Sequence, residues 1–217
     1  MYSTTALSQP VSADVGVHTM RAGLRAGSIW LMFFAMASIS SAYSQSPAQF
    51  QELNILVGRG RHIEAAAKVI EYPAKSPGLV SWLEGMANAG VVPLAYELAR
   101  RLAREDPNAA INWYAVGYVG HRLARSECTN NAPNPKDIFL SATYGNLSTI
   151  ALDNPSLFVS ALERALAWEY MRKYIHDASW LCEITIPDGR ARAAARNEQA
   201  IKLRSEIDDL KRKTEMK

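Results

Sequence analysis

The feature that most constrains this chain is a recurrence at an offset of thirty residues: Leu53, Gly60, Ala65 and Pro77 are matched by Leu83, Gly90, Ala95 and Pro107. Coincidences of this kind, including a glycine and a proline, favour an internal repeat of one supersecondary unit over chance. The apolar spacing inside each unit is helical. Phe50, Leu53, Leu56 and Val57 share one face of a first helix over 49–57. A second helix is predicted over 61–72, with Ile63, Ala66, Ala67 and Ile70 inward. Gly58-Arg59-Gly60 stops the first helix, because glycine takes a left-handed cap cheaply. Pro73 and Ser76-Pro77-Gly78 stop the second. In the next unit Trp82, Leu83, Met86 and Ala87 mark the first helix, and its partner is expected over about 93–104. Pro93 is welcome there, since the first helical turn does not need its missing N–H.

A third unit opens with Asn112-Trp113-Tyr114-Ala115-Val116-Gly117-Tyr118-Val119-Gly120. This resembles the tetratricopeptide repeat, whose first helix reads Trp-x2-Leu-Gly-x2-Tyr and whose second carries Ala-x3-Phe and then Pro. Trp113-x2-Val116-Gly117 fits the opening, with Val for Leu; Gly120 replaces the Tyr. Ala65-x3-Val69 followed by Pro77, and Ala95-x3-Ala99 followed by Pro107, fit the second-helix half. The period of thirty residues departs from the family's roughly 34 by about one helical turn. The resemblance covers residues 50–123. It implies an all-α fold, a tetratricopeptide-like array of helical hairpins in a right-handed α-solenoid, with the first helices of the hairpins lining a concave groove. A glycine at 117 lets two helices cross closely, and Trp82 and Trp113 read as packing residues of such an array.

Residues 1–42 stand apart. Arg21 and Arg25 precede the apolar run IWLMFFAMASI at 29–39, and Ser40-Ser41-Ala42 offers a small-x-small cleavage site. That order is the secretory signal pattern, with Met20 as a more typical start than Met1. The run is too short for a comfortable membrane span, which needs about 20 residues; an uncleaved anchor is the alternative. Nothing downstream is apolar enough to cross a membrane. The expected location is therefore periplasmic or secreted.

Past Leu123 the repeat is interrupted. Residues 126–137 are rich in turn formers. A weaker helix is expected over 138–152, and a break at Asp153-Asn154-Pro155-Ser156 precedes a long helix over 156–180. That helix reads as a cap on the array, because a terminal repeat must cover its open face. The organisation expected is thus a signal at 1–42, hairpins at 46–123, an interrupted segment with the capping helix at 124–188, and a charged helix at 189–217. In that last helix Ala200, Leu203, Ile207 and Leu210 form a coiled-coil-like stripe, among nine Lys/Arg and five Asp/Glu over 190–217. It reads as a solvated helix or, more sharply, as a site of self-association or partner docking.

The chemistry is sparse. The chain has no His-Glu-x-x-His, Gly-x-Ser-x-Gly or Gly-x4-Gly-Lys-Ser/Thr motif. No catalytic residue, metal site or cofactor is expected. Net charge is only +3, which gives no nucleic-acid signature. The cysteines are Cys128 and Cys182. In an exported chain an even pair usually bonds, so a structural disulfide is expected; two buried free thiols are the alternative. One surface stands out. Tyr114, Tyr118, His121 and Arg122 fall at i, i+4, i+7 and i+8 on a helix starting near Ile111, away from the face holding Trp113, Val116 and Gly117. The resemblance implies that this face looks into the groove, and Tyr and Arg are favoured at interfaces. The expected function is protein or peptide binding in the cell envelope, as an adaptor or assembly factor. The rivals are a dedicated inhibitor, such as an immunity protein, and an enzyme with an unrecognised helical active site.

Overall fold

A computed structural model describes residues 48–73, 75–130, 134–171 and 178–216. The export signal expected over 1–42 lies outside the described residues. The expectations for the front of the chain meet the structure in two helical hairpins: α1 (Gln51–Gly58) with α2 (His62–Ile70), and α3 (Leu79–Asn88) with α4 (Val92–Leu102). Both turn in the same way. Gly60 donates its N–H to the Val57 carbonyl at 2.9 Å and Arg61 to that of Leu56 at 2.9 Å. Thirty residues on, Gly90 donates to Ala87 at 2.9 Å and Val91 to Met86 at 3.0 Å. Each is a Schellman closure, and Gly60 and Gly90 sit at φ +71° and +95°, where a side chain would be strained. Leu53 and Leu83, and Ala65 and Ala95, are all fully buried.

The inward face of α2 differs from the expected one. Ala65, Ala66 and Val69 are buried, whereas Ala67 and Ile70 are exposed and Ile63 is half-buried. The face is set by what α2 packs on. Ala65 and Val69 occupy the positions of Ala95 and Ala99 in α4, so contact with α4 fixes the rotation.

α4 is the hub. Every residue from Val92 to Ala99 is buried, and its two sides feed two separate apolar clusters. Glu97 lies inside this run at 0 % exposure. It accepts from Arg100 Nη2 and Arg101 Nε, both at 2.7 Å. Arg101 also donates to the carbonyls of Val69 at 2.7 Å, Tyr72 at 3.1 Å and Pro73 at 3.0 Å. One guanidinium thus neutralises a buried carboxylate and satisfies the orphan carbonyls that end α2, tying the hairpins together.

α5 (Pro107–Ser126) follows, opened by Pro107 and capped by Asp106, whose carboxylate accepts from the Ala109 N–H at 2.9 Å. It crosses α4 closely because two glycines face that helix. A Cβ on Gly117 would fall 2.9 Å from the Tyr96 ring, and one on Gly120 would fall 2.6 Å from Val92 Cγ2. The spacing role expected for Gly117 is the one observed.

The rear half is less regular. The single helix expected over 138–152 is two: α6 (Pro135–Tyr144) and α7 (Leu147–Asp153). Asn134 and Asp137 form a reciprocal capping box at the start of α6. At Gly145 the Cβ position lies 2.6 Å from the Ser141 carbonyl, so the chain turns where a larger residue would clash. The helix expected over 156–180 is α8 (Pro155–Met171); Trp180 sits instead in a 3-10 turn, Ala178–Trp180. α9 (Gly189–Glu215) closes the chain, capped by Asp188.

A disulfide joins Cys128 to Cys182. Beside it runs a short bridge of extended chain: Thr129 donates to the Ile184 carbonyl at 3.1 Å and Ile186 to that of Glu127 at 2.8 Å. Among the described residues there is no longer β-structure, so the described fold is all-helical. The stripe on α9 is used within the chain. Ala200, Leu203 and Ile207 are buried in a cluster with α5 and α8 residues, and only Leu210 is open, at 37 %. Surface left on α9 for another molecule is Leu210 and the outer faces, where Ile201 is 61 % exposed among charged side chains. No described helix is long and apolar enough to cross a membrane.

Candidate interaction cleft

The four residues of the expected binding face all lie on α5, each half-buried by its own chain. The structure brings three together. Tyr114 stacks on Phe158 of α8, with ring centroids 5.7 Å apart, and lies 6.3 Å from the Tyr118 ring. Arg122 donates to the Tyr118 hydroxyl at 2.7 Å and to Glu206 of α9 at 3.1 Å. Its guanidinium carbon sits 5.6 Å from the Tyr118 ring centre, within range of a cation–π contact. Burial, and then the neighbouring Tyr118, push the Tyr114 phenol above its ordinary range, so it stays a neutral surface.

His121 is separated from these three. Its Nε2 lies 2.9 Å from Asp137 Oδ1 of α6, and its ring lies 6.4 Å from Tyr96 and 6.3 Å from Trp180. Burial pulls its pKa below the ordinary value, and the Asp137 contact opposes that shift. His121 therefore belongs to a packed aromatic seam between α4 and α6.

Tyr114 and Tyr118 line a cleft of about 190 Å³ between α5, α7, α8 and α9. Phe158, Leu162, Leu203 and Ile207 supply apolar wall, and Leu152 and Leu210 stand at its edge with 66 % and 37 % exposure. Sequence reasoning named the two tyrosines and the Leu203–Ile207–Leu210 stripe separately. What it missed was that they face each other. Nothing in the local pattern of α9 says which helix its stripe meets, and Leu152 lies on a helix whose start at Leu147 was not foreseen.

A second feature also escaped the sequence. Arg196 of α9 forks between two buried carboxylates, Glu127 and Glu169, at 2.9 Å each. They line a cavity of about 270 Å³ beside Gly60, Gly90 and Trp180. Both carboxylates engage the one guanidinium, which anchors the start of α9 to α8 and to the end of α5. Among the described residues no group of three or more His, Cys, Asp or Glu side chains is placed to hold a metal ion. No protein family, characterised protein or solved structure matches the chain.

Proposed function

We propose that this chain is an exported, tetratricopeptide-like interaction module of the cell envelope, an adaptor or assembly factor that holds a protein or peptide segment and catalyses no reaction. The observation that carries the reading is the apolar cleft with Tyr114 and Tyr118 in its wall and Leu152 and Leu210 open at its edge. Apolar surface left open beside a cavity marks a place where another molecule's apolar group is buried. Two α-hairpins with the same glycine closure, followed by a long helix, support the solenoid reading. The disulfide supports export, since such bonds persist in oxidising compartments.

The partner expected is a polypeptide presenting one bulky apolar side chain. Burying such a side chain contributes roughly 1.5–3 kcal/mol, or about ten- to a hundredfold in affinity. The test is capture of partners from the cell-envelope extract of the source cell with the tagged chain and with a Leu152→Asp/Leu210→Asp variant, followed by titration of the captured protein. The expected result is one dominant protein whose affinity falls at least about tenfold in the variant. Equal binding by both chains would remove this cleft from the function. A micromolar partner fits an adaptor; a nanomolar one would move the reading to a dedicated inhibitor.

A further inference from the structure

On the opposite flank of α5 a second cleft, of about 180 Å³, has a different chemistry. It lies between the end of α3, the first half of α5 and the middle of α8. Two indoles border it, Trp113 and Trp168, both half-buried. The rest of the lining is the amides of Asn88 and Asn112, the guanidinium of Arg164 and the aliphatic side chains of Val116, Ala161 and Ala165. Trp113 also packs against the core. Arg164 Nη2 donates to Asn112 Oδ1 at 2.6 Å in an exposed contact between α8 and α5. The bond uses the Asn112 carbonyl, so its remaining donors are the amide N–H groups. Arg164 keeps further N–H donors for the same reason. Among the described residues lining the cleft, Arg164 alone carries a charge, and no carboxylate balances it there.

We infer that this cleft binds a saccharide ring, with a carboxylate-bearing sugar preferred over a neutral one. A pyranose has an apolar C–H face and a rim of hydroxyls. The C–H face carries slight positive charge and suits the electron-rich face of an indole. The hydroxyl rim needs donors and acceptors side by side, which asparagine amides supply in one plane. A guanidinium is the group best shaped to fork onto a carboxylate. The site's volume holds about one ring, and its open form lets a chain continue past it. An apolar peptide side chain is the poorer fit, because it would cover the Asn and Arg groups without pairing them. The two clefts thus differ in their polar groups: Ser148 and Glu206 accompany the tyrosines in the first, whereas the second sets two amides and a guanidinium beside two indoles and three aliphatic side chains.

The test is calorimetric titration of the whole exported chain with trigalacturonate and with maltotriose. The acidic sugar should bind about tenfold or more tightly than the neutral one at low salt. The gap should narrow as salt is raised, since screening weakens an exposed charge contact. Arg164→Gln should bring the two sugars to about equal affinity, while Trp168→Ala weakens both at least about tenfold. Asn112→Ala should lower affinity for both as well, and it changes only a partly exposed side chain should Trp168→Ala fail to fold. Leu152→Asp/Leu210→Asp should leave sugar binding unchanged, which separates this inference from the interaction reading. Failure to bind either sugar, binding indifferent to both Arg164→Gln and Asn112→Ala, or displacement of the sugar by an apolar peptide would overturn it.

Discussion

Gly60 and Gly90 turn the chain; Gly120, at the next step of the same offset, sits inside a helix. The first two have positive φ and close hairpins, and the third is part of α5, which runs on for six residues to Ser126. The neighbours decide this. The residues just before the first two glycines are tolerant of exposure: Gly58 and Arg59 are open, as is Asn88. Before Gly120 stand Tyr118 and Val119, and Val119 is fully buried in the cluster that α5 shares with α8 and α9. A turn at Gly120 would expose them. Continuing the helix costs only about 1 kcal/mol for a glycine in its interior. The same residue type in the same register thus serves backbone freedom twice and close packing once.

The break has consequences for what holds each half. The front is tied by paired backbone closures and by Arg101. The rear, where the third hairpin fails to form, relies on a covalent link and on Arg196 between its two carboxylates. The largest expected effect follows. Removing the disulfide, by reduction or by Cys128→Ala/Cys182→Ala, should cost about 4 kcal/mol for a loop of this length, read as a fall in thermal and denaturant midpoints. Hydrogen exchange should show the loss concentrated at 127–130, 181–188 and the start of α9, with the α1–α4 amides nearly as protected as before. Equal loss of protection in the hairpins would show that the two halves unfold as one unit, and the contrast would fail. The denatured, unreduced protein should show no free thiol.

Substitution of the glycines comes next in size and tests the contrast directly. Gly60→Ala should cost about 1–2 kcal/mol through its left-handed backbone alone, since a Cβ there meets nothing within 4 Å. Gly120→Ala should cost a similar amount, roughly 1–3 kcal/mol, for a different reason: its Cβ would overlap Val92. A double-mutant cycle separates the two. Val92→Ala should be less costly in the Gly120→Ala background than alone, with a coupling of about 0.5–3 kcal/mol, and additive with Gly60→Ala to within about 0.5 kcal/mol. Additivity at Gly120 would mean that its packing role is wrong.

How much of this was readable in the sequence depends on range. The helix class, the front hairpins, their glycine stops and the cysteine pair follow from local signals: apolar period, cap chemistry and, for the cysteines, the signal-like pattern at 21–42. Gly120 shows the limit. Its offset matches Gly60 and Gly90, yet whether it turns depends on the burial of Val119 against helices more than thirty residues downstream. The expected binding face shows the same limit. Helical spacing placed Tyr114, Tyr118, His121 and Arg122 together on one helix. Only tertiary contacts split them, sending His121 to Asp137 while Arg122 stays on Tyr118 and reaches Glu206 as well. The grouping of buried Glu127 and Glu169 around Arg196 left no local trace, because each member lies on a different segment of the chain.

The smallest expected effect probes the joint between the halves. His121 reaches Asp137 of α6 and the rings of Tyr96 and Trp180 only because α5 continues past Gly120. Burial lowers its pKa in the folded chain, with Asp137 pulling the other way. The unfolded chain, where histidine titrates near about 6.5, therefore binds the proton more readily than the folded one. Stability from this group is whole above that pH and falls as the pH drops through it, until the folded pKa is passed. Melting temperature should accordingly decline from pH 7 towards pH 5, and His121→Gln should flatten part of that decline while leaving the plateau above pH 7 level. A steeper decline in the variant would reverse the sign and mean that Asp137 outweighs burial, making His121 a charged clasp between α5 and α6. An unchanged slope would assign the acid sensitivity to other groups and leave the joint to packing alone.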